Sequence, residues 1–258
     1  MEFNASSAQL LKIEADSLVL PTGSQLENIA KQIDAALDGA ITSLIESGDF
    51  SGKASEACVL RNLNTPFKRI ILVGTDGASN PQKMIKAIEA GASELFKTPA
   101  VNAVWAIEGL AEDHDWQATI VARSTLTAAY QYSGTGKKPK PKKLETVTYW
   151  CASENDSNIA NQGLNYGGAI GNGMNTARQL GNLPANICTP NYLAEQASQL
   201  AEEQANLTTS ILNESEMKKL KMGSLLSVST GSVEPGNLIV MNYTCLLYTS
   251  DAADDLLC

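Results

Sequence analysis

The stretch Arg69-Ile-Ile-Leu-Val-Gly74 contains an unbroken aliphatic run, Ile70–Val73, that is rich in β-branched residues. Such a run is typical of a strand that is covered on both of its faces. Asn80-Pro81 follows it and predicts the start of a helix through Leu95, because a proline in the first helical turn lacks only an N–H group that has no partner there. A strand followed by a helix is the repeating unit of a parallel sheet with helices on its faces.

The same alternation extends in both directions from this unit. Apolar runs predict further strands at Ala15–Leu20, Cys58–Leu60, Ala100–Ile107 and Glu145–Cys151. Apolar residues at spacings of three to four predict one helix from Leu26 to Ser47-Gly48 and another over Trp116–Tyr132. The predicted fold class is therefore α/β, with a largely parallel sheet in the N-terminal part of the chain.

The rest of the chain predicts a long helix and part of a second α/β domain. A glycine-interrupted helical pattern covers Asp156–Leu180, and Thr189-Pro190 predicts a further helix start, since a threonine hydroxyl caps free N–H groups. Strands are predicted at Leu207–Leu212 and Leu238–Met241, with a short helix over Glu214–Leu220 between them. We therefore expect an N-terminal domain (1–151), a linking helix (152–182), the start of a second domain (183–243) and a tail (244–258).

Charge and composition argue against several classes of protein. The 258 residues carry a net charge of −9, which opposes nucleic-acid binding through overall charge, because phosphate groups need a basic face. The first residues have no signal-peptide pattern, and no apolar run approaches the roughly 18 residues that a membrane helix requires. The cysteines are scattered, which is typical of free thiols in a reducing compartment; they are Cys58, Cys151, Cys188, Cys245 and Cys258. We expect a cytoplasmic protein.

The residues taken alone predict no catalytic, cofactor-binding or metal site. His114 is the single histidine, lies in the acidic stretch Glu112–Asp115, and cannot by itself form a histidine-ligated zinc site. Gly74–Gly77 lies between a strand and a helix, where N–H groups can hold phosphate, but the incomplete glycine motif favours a plain turn. Lys137–Lys143 is a basic patch or a solvated connector, and the lack of interleaved aromatic residues favours the connector.

The most informative segment is Asn175–Ala194, which contains the spacing Arg-x-Leu-x-Asn-x-Pro-x-Asn-x-x-Thr-Pro-x-x-Leu-Ala. With this pattern the chain resembles the leucyl aminopeptidase (cytosol aminopeptidase) family, and Met217–Tyr243 resembles the turn and strand that follow in that family. Asparagine binds its own backbone at turns, and Thr-Pro begins helices. We therefore interpret six motif residues as structural, shaping the entrance to the second domain: Arg178, Asn182, Pro184, Asn186, Thr189 and Pro190.

The resemblance implies a hydrolase that removes N-terminal residues from peptides with two divalent metal ions, manganese or zinc, and that forms homohexamers. It also implies that a lysine, aspartates and glutamates on later glycine-rich segments bind the metals, beginning with Gly-Lys-Gly soon after Tyr243. The chain instead continues as Thr244–Cys258, which resembles translated sequencing-adaptor sequence, so Asp251, Asp254 and Asp255 are not candidate ligands. We therefore expect an inactive N-terminal fragment without metal ligands.

Two other functions stay open. The N-terminal domain also resembles macrodomains that hold ADP-ribose, so the chain could be a stand-alone ligand-binding module; Gly74–Gly77 is the only support for this. The other is nucleic-acid binding through Lys137–Lys143, which the net charge of −9 opposes.

Overall fold

The computed structural model describes residues 1–61, 63–76, 80–107, 113–132, 134 and 141–244. By its internal contacts, the chain divides into two units, Met1–Gln179 and Leu180–Cys258. The division falls near the end of the predicted linking helix, so nearly all of that helix belongs to the first unit.

The first unit is built on a six-stranded sheet. Its strands are β1 (Glu2–Ser6), β2 (Ser17–Thr22), β3 (Ala57–Arg61), β4 (Arg69–Gly74), β5 (Asn102–Ala106) and β6 (Thr146–Trp150). Its helices are α1 (Asn28–Ala36), α2 (Ala40–Ser47), α3 (Pro81–Leu95), α4 (His114–Ala129) and α5 (Glu154–Asn182). The last residues of α5, from Leu180 onward, are assigned to the second unit. The strand order is β1-β6-β5-β2-β4-β3, and every pair is parallel except β3 with β4. The predicted α/β class with a largely parallel sheet is confirmed.

Two apolar clusters cover the faces of this sheet. In β4, Ile71 and Val73 belong to the cluster that includes side chains of α3, α4 and α5. Ile70 and Leu72 belong to the opposite cluster, which includes side chains of α1 and α2. All four side chains are fully buried, which explains why this strand has an unbroken apolar sequence instead of an alternating one.

The prediction of one continuous helix from Leu26 to Ser47 is wrong. The helix is interrupted after α1, where Asp38 and Gly39 have φ values of +53° and +80°, in the left-handed region that ends helices. The carboxylate of Asp34 then accepts a hydrogen bond of 2.7 Å from the backbone N–H of Ile41, near the start of α2. Apolar spacing does not reveal this break, because both short helices turn their apolar faces to the same cluster.

Glycines bring α5 against α4 at close range. A Cβ atom on Gly163 would lie 2.2 Å from the carbonyl oxygen of Asp115, and one on Gly167 would lie 2.2 Å from that of Thr119. The Thr119 hydroxyl also donates to the Gly163 carbonyl at 3.1 Å. The glycines that interrupt the helical pattern therefore allow the two backbones to approach each other.

The second unit contains α6 (Pro190–Glu203), β7 (Leu207–Asn213), α7 (Glu214–Lys219), α8 (Gly223–Ser229) and β8 (Asn237–Tyr243). Strands β7 and β8 form an antiparallel two-stranded sheet in which Leu207 is opposite Tyr243. Helix α6 lies against β7, and the Thr209 hydroxyl donates to the Ala197 carbonyl at 3.1 Å. The predicted elements of this unit are present; α8 is an addition that the sequence analysis did not predict.

Candidate functional site

The family-motif residues begin at the C-terminal end of α5, where they contact the end of α4. Arg178 donates from Nη1 to the carbonyl oxygen of Thr127 at 3.1 Å, and Asn175 donates from Nδ2 to that of Leu126 at 3.0 Å. The Arg178 guanidinium also lies 6.0 Å from the centre of the Tyr130 ring. These carbonyls are in the last turn of α4 and have no partner within the helix. Two side chains of α5 therefore cap α4.

The remaining motif residues form the turn between α5 and α6. The Pro184 carbonyl accepts hydrogen bonds from the N–H groups of Ile187 (2.9 Å) and Cys188 (3.0 Å). Thr189 caps α6, because its hydroxyl accepts a hydrogen bond of 3.2 Å from Tyr192 N–H, and Pro190 occupies the first turn. Asn182 is the last residue of α5, and Asn186 is exposed in the turn. These contacts support the structural interpretation of the motif, which stays a prediction.

His114 belongs to a small network at the starts of α4 and α5. Its Nδ1 atom lies 3.1 Å from the Tyr149 hydroxyl, which donates to Gln117 Oε1 at 2.9 Å. Its Nε2 atom lies 3.8 Å from the Asp156 carboxylate. Burial, with added repulsion from Cys151 and nearby carboxylates, raises the pKa of Tyr149 well above its usual range. The phenol is therefore protonated at neutral pH and acts as a hydrogen-bonding group in the core.

The cysteines of the described residues, Cys58, Cys151 and Cys188, are free thiols. Burial and the nearby Asp156 carboxylate raise the pKa of Cys151 to about 12. Burial also raises the pKa of Cys58, and Asp49 and Glu56 add to the effect. Because the thiolate is the nucleophile, neither of these two cysteines is activated. Cys245 and Cys258 lie outside the described residues.

The part of the chain that the structure describes does not fit a two-metal centre. It contains no group of three or more histidine, cysteine, aspartate or glutamate side chains that could hold a metal ion. Asp16, Asp34 and Asp76 instead accept hydrogen bonds from backbone N–H groups. A pair of divalent ions bound through oxygen needs several convergent carboxylates. The tail aspartates Asp251, Asp254 and Asp255 lie outside the described residues.

The glycine loop after β4 is occupied by the chain itself. A Cβ atom on Gly74 would lie 1.9 Å from the carbonyl oxygen of Lys53, so glycine is required there by backbone packing. Asp76 places its carboxylate in the same loop, where it accepts a hydrogen bond of 2.8 Å from Ser24 N–H. A carboxylate in this position disfavours phosphate. Gly77 lies outside the described residues, as does most of the basic segment Lys137–Lys143.

Comparison with known families gives the decisive observation. The model of the cytosol aminopeptidase family's N-terminal domain matches residues 18–139, and that of the same family's catalytic domain matches residues 175–251. The two matches follow each other in order and together cover more than half of the chain. The chain belongs to the cytosol aminopeptidase family. The second match includes the first residues of the predicted non-native tail, whose origin stays a prediction.

Curated members of the cytosol aminopeptidase family match almost the whole chain. A probable cytosol aminopeptidase of Nitrosococcus oceani is 35% identical over 94% of this chain and 50% of its own length. The cytosol aminopeptidase of Pseudomonas aeruginosa is 33% identical, over 94% of this chain and 51% of its own length. The chain therefore spans about half the length of the curated relatives it matches.

Solved structures share the fold of this family member. A mutant of tomato leucine aminopeptidase superposes with a TM-score of 0.84 at 24% identity, over 97% of this chain and 52% of its own. The bottromycin maturation enzyme BotP in complex with Mn superposes with a TM-score of 0.70 at 18% identity, over 90% and 46% of the two chains. At these identities the likeness concerns the fold alone.

The sequence analysis missed the partners of the motif. Asn175 contacts Leu126 and Arg178 contacts Tyr130, so each contact joins residues about 50 positions apart. No local spacing predicts such a contact.

Among the described residues, no helix combines the length and the apolar character that crossing a membrane requires.

Proposed function

We propose that this chain is the N-terminal part of a leucine-type aminopeptidase that removes N-terminal residues from peptides with two divalent metal ions, manganese or zinc. The observation that carries the proposal is the ordered pair of family matches, N-terminal domain followed by catalytic domain. The Arg178–Ala194 motif lies within the second of these matches, and its spacing fits the family at every fixed position. The assembly proposed for the full-length protein is a homohexamer in the cytoplasm.

The chain as it stands is proposed to be inactive. The described residues bring no set of metal-binding side chains together, and the family's Gly-Lys-Gly segment is not found after Tyr243. Two bound metal ions would supply an activated water in such a hydrolase, so a chain in which no ligand set forms would lack that reactive group.

The test compares the 258-residue chain with a product extended to the length of the curated relatives. With leucine p-nitroanilide and Mn²⁺, the chain alone should show no chelator-sensitive hydrolysis that increases with protein concentration. The extended product should hydrolyse the anilide at a rate that increases with protein concentration and is abolished by a chelator. Chelator-sensitive turnover by the purified chain would overturn the inactivity. An extended product that folds and binds Mn²⁺ but leaves the anilide intact would overturn the peptidase proposal. Sequencing the gene past the codon for Tyr243 supplies that product.

The two other functions have weaker support. The backbone carbonyl of Lys53 occupies the space beside Gly74, and Asp76 adds a negative charge to the only loop that suggested ADP-ribose binding. A calorimetric titration with ADP-ribose distinguishes the module from the peptidase fragment. Nucleic-acid binding has only the basic segment in its favour, against a net charge of −9, and a gel shift at several salt concentrations tests it.

A further inference from the structure

A basic groove lies on the first unit, between α3 and α4, in a chain that is acidic overall. Its volume is about 440 Å³. Three cationic side chains, Lys97, Lys142 and Arg178, line it together with three hydroxyl groups, those of Ser93, Ser124 and Thr127. The chain as a whole carries −9, so cations collected around hydroxyl groups are a local exception to its charge distribution.

Two of the cations are held in place by contacts that leave their charge available. The ammonium of Lys142 lies 5.3 Å from the centre of the Phe96 ring, and Arg178 lies over the Tyr130 ring while it caps Thr127. Neither forms an ion pair among residues that the structure describes. An arginine has five N–H donors in a rigid fork. The contact with Thr127 therefore orients the guanidinium and leaves it donors for a ligand.

The carboxylates near the groove are already paired. Glu89, which lines it, accepts a hydrogen bond of 3.0 Å from Arg123 Nη2, and Arg123 also reaches the Ser124 hydroxyl at 3.5 Å. The Arg123 Nε atom is buried and has no hydrogen-bond partner within the described part of the chain. Glu94 pairs with Lys97 at 2.7 Å. Lys142 and Arg178 therefore give the groove a net positive charge.

We propose that this groove binds a phosphate group, with Lys142 and Arg178 supplying charge and the hydroxyls of Ser93 and Ser124 supplying further hydrogen bonds. The Thr127 hydroxyl lines the groove but already donates to the Ser124 carbonyl at 3.1 Å. A phosphate dianion offers several acceptor oxygens in a tetrahedral arrangement, which matches a planar guanidinium, an ammonium and surrounding hydroxyl donors. A monocarboxylate carries one charge and would use fewer of them. The site lies wholly within the first unit and does not depend on the proposed peptidase activity.

The experiment is a calorimetric titration of the 258-residue chain at constant ionic strength with inorganic phosphate, glycerol phosphate and acetate in turn. Saturable binding is expected for inorganic phosphate, glycerol phosphate or both, and the stronger of the two identifies the source of the phosphate group. Acetate should bind much more weakly. Equal binding of acetate, or no saturable binding of either phosphate compound at millimolar concentration, would overturn the proposal.

Matched variants separate the groove from general charge. Lys142→Gln should weaken phosphate binding about fivefold or more, whereas Lys143→Gln, at the adjacent exposed position outside the groove, should change it by less than about twofold. Arg178→Gln should weaken binding further, but this substitution also removes a cap on α4. Lys142 lies in an exposed loop, so its variant tests the site even if the arginine variant unfolds. Equal losses for Lys142→Gln and Lys143→Gln would mean that phosphate responds only to net charge.

Discussion

The two units of this chain cover their strands to very different degrees. In the first unit, the four central apolar residues of β4 are fully buried between two clusters. In the second, β8 carries Met241 and Tyr243 at 43% and 71% exposure, and Val228 and Val233 nearby in the sequence are 82% and 100% exposed. A two-stranded sheet is marginal in water by itself. We therefore expect similar strand-forming sequences to differ in local stability according to how well they are covered.

Hydrogen exchange should show the largest effect of this difference. We expect the backbone amides of β4 to exchange at least about a thousandfold more slowly than those of β8, because opening β8 exposes little additional apolar surface. The edge strand β3 of the first unit is the control, since it also has one neighbouring strand. If β3 exchanges as fast as β8, edge position and not cover determines the rates. Protection in β8 equal to that in β4 would contradict the comparison outright.

Substituting one of the glycines between α4 and α5 should give the next largest effect. Gly167→Ala places a Cβ atom 2.2 Å from the Thr119 carbonyl oxygen, so we expect it to destabilise the first unit by about 2–4 kcal/mol. Urea unfolding measured by tryptophan fluorescence reports on this unit, because Trp105, Trp116 and Trp150 are the three tryptophans of the chain and all lie within it.

Gly168→Ala is the matched control for this prediction, because nothing lies within 4 Å of its Cβ position on the same helix. It should be neutral or should stabilise the unit by about 0.5–1 kcal/mol, since alanine favours a helix more than glycine does. Equal losses for both variants would show that α5 does not need to approach α4 closely.

Removing helix caps should have a smaller effect and should separate the units. Asn80 caps α3 and Thr189 caps α6, each through a side-chain oxygen that accepts a backbone hydrogen bond. Each alanine substitution should cost about 1 kcal/mol. Asn80→Ala should lower the urea midpoint by fluorescence, whereas Thr189→Ala should leave it unchanged and accelerate hydrogen exchange in α6 and β7.

Thr189→Ser controls for the hydroxyl group and should restore slow exchange in α6, because serine also caps helices. A fluorescence midpoint that falls as much for Thr189→Ala as for Asn80→Ala would mean that the two units unfold together. That result would remove the physical basis of the comparison.

Local patterns predicted the elements of this chain well because their causes are local. The apolar run of β4 and the Asn80-Pro81 and Thr189-Pro190 helix starts all agree with the structure. The break at Asp38-Gly39 was missed because apolar spacing continues through it, and β1 was missed because its sequence, EFNAS, has no apolar run. Its cause is pairing with β6, which follows more than 130 residues later.

The candidate sites were less predictable from sequence, for the same reason. The Arg178 motif was found from its spacing, but its contacts with Thr127 and Tyr130 depend on how α5 crosses α4. The basic groove also joins side chains from three helices and a loop that no short motif connects. The contacts of Arg178 and the composition of the basic groove both depend on packing between distant segments, which a single sequence does not reveal.

The smallest expected effect concerns pH and the first unit alone. Lys68 and the N–H group of Val101 hydrogen-bond the Asp16 carboxylate and hold its pKa below the usual value of about 3.9. Because the pKa is lower in the folded state, this group stabilises the first unit above the unfolded-state pKa, and the contribution is lost as pH falls through the folded-state value.

Asp16→Asn keeps an oxygen that can accept from Val101 and removes only the ion pair with Lys68, whose side chain is 72% exposed. The variant should therefore lose at most about 1 kcal/mol at pH 7 and converge with the parent chain as the pH falls below the folded-state pKa of Asp16. Urea unfolding at several pH values, with the exposed neighbour variant Glu14→Gln as the control, measures this. A difference that persists unchanged at low pH would show that Asp16 contributes through packing instead of charge.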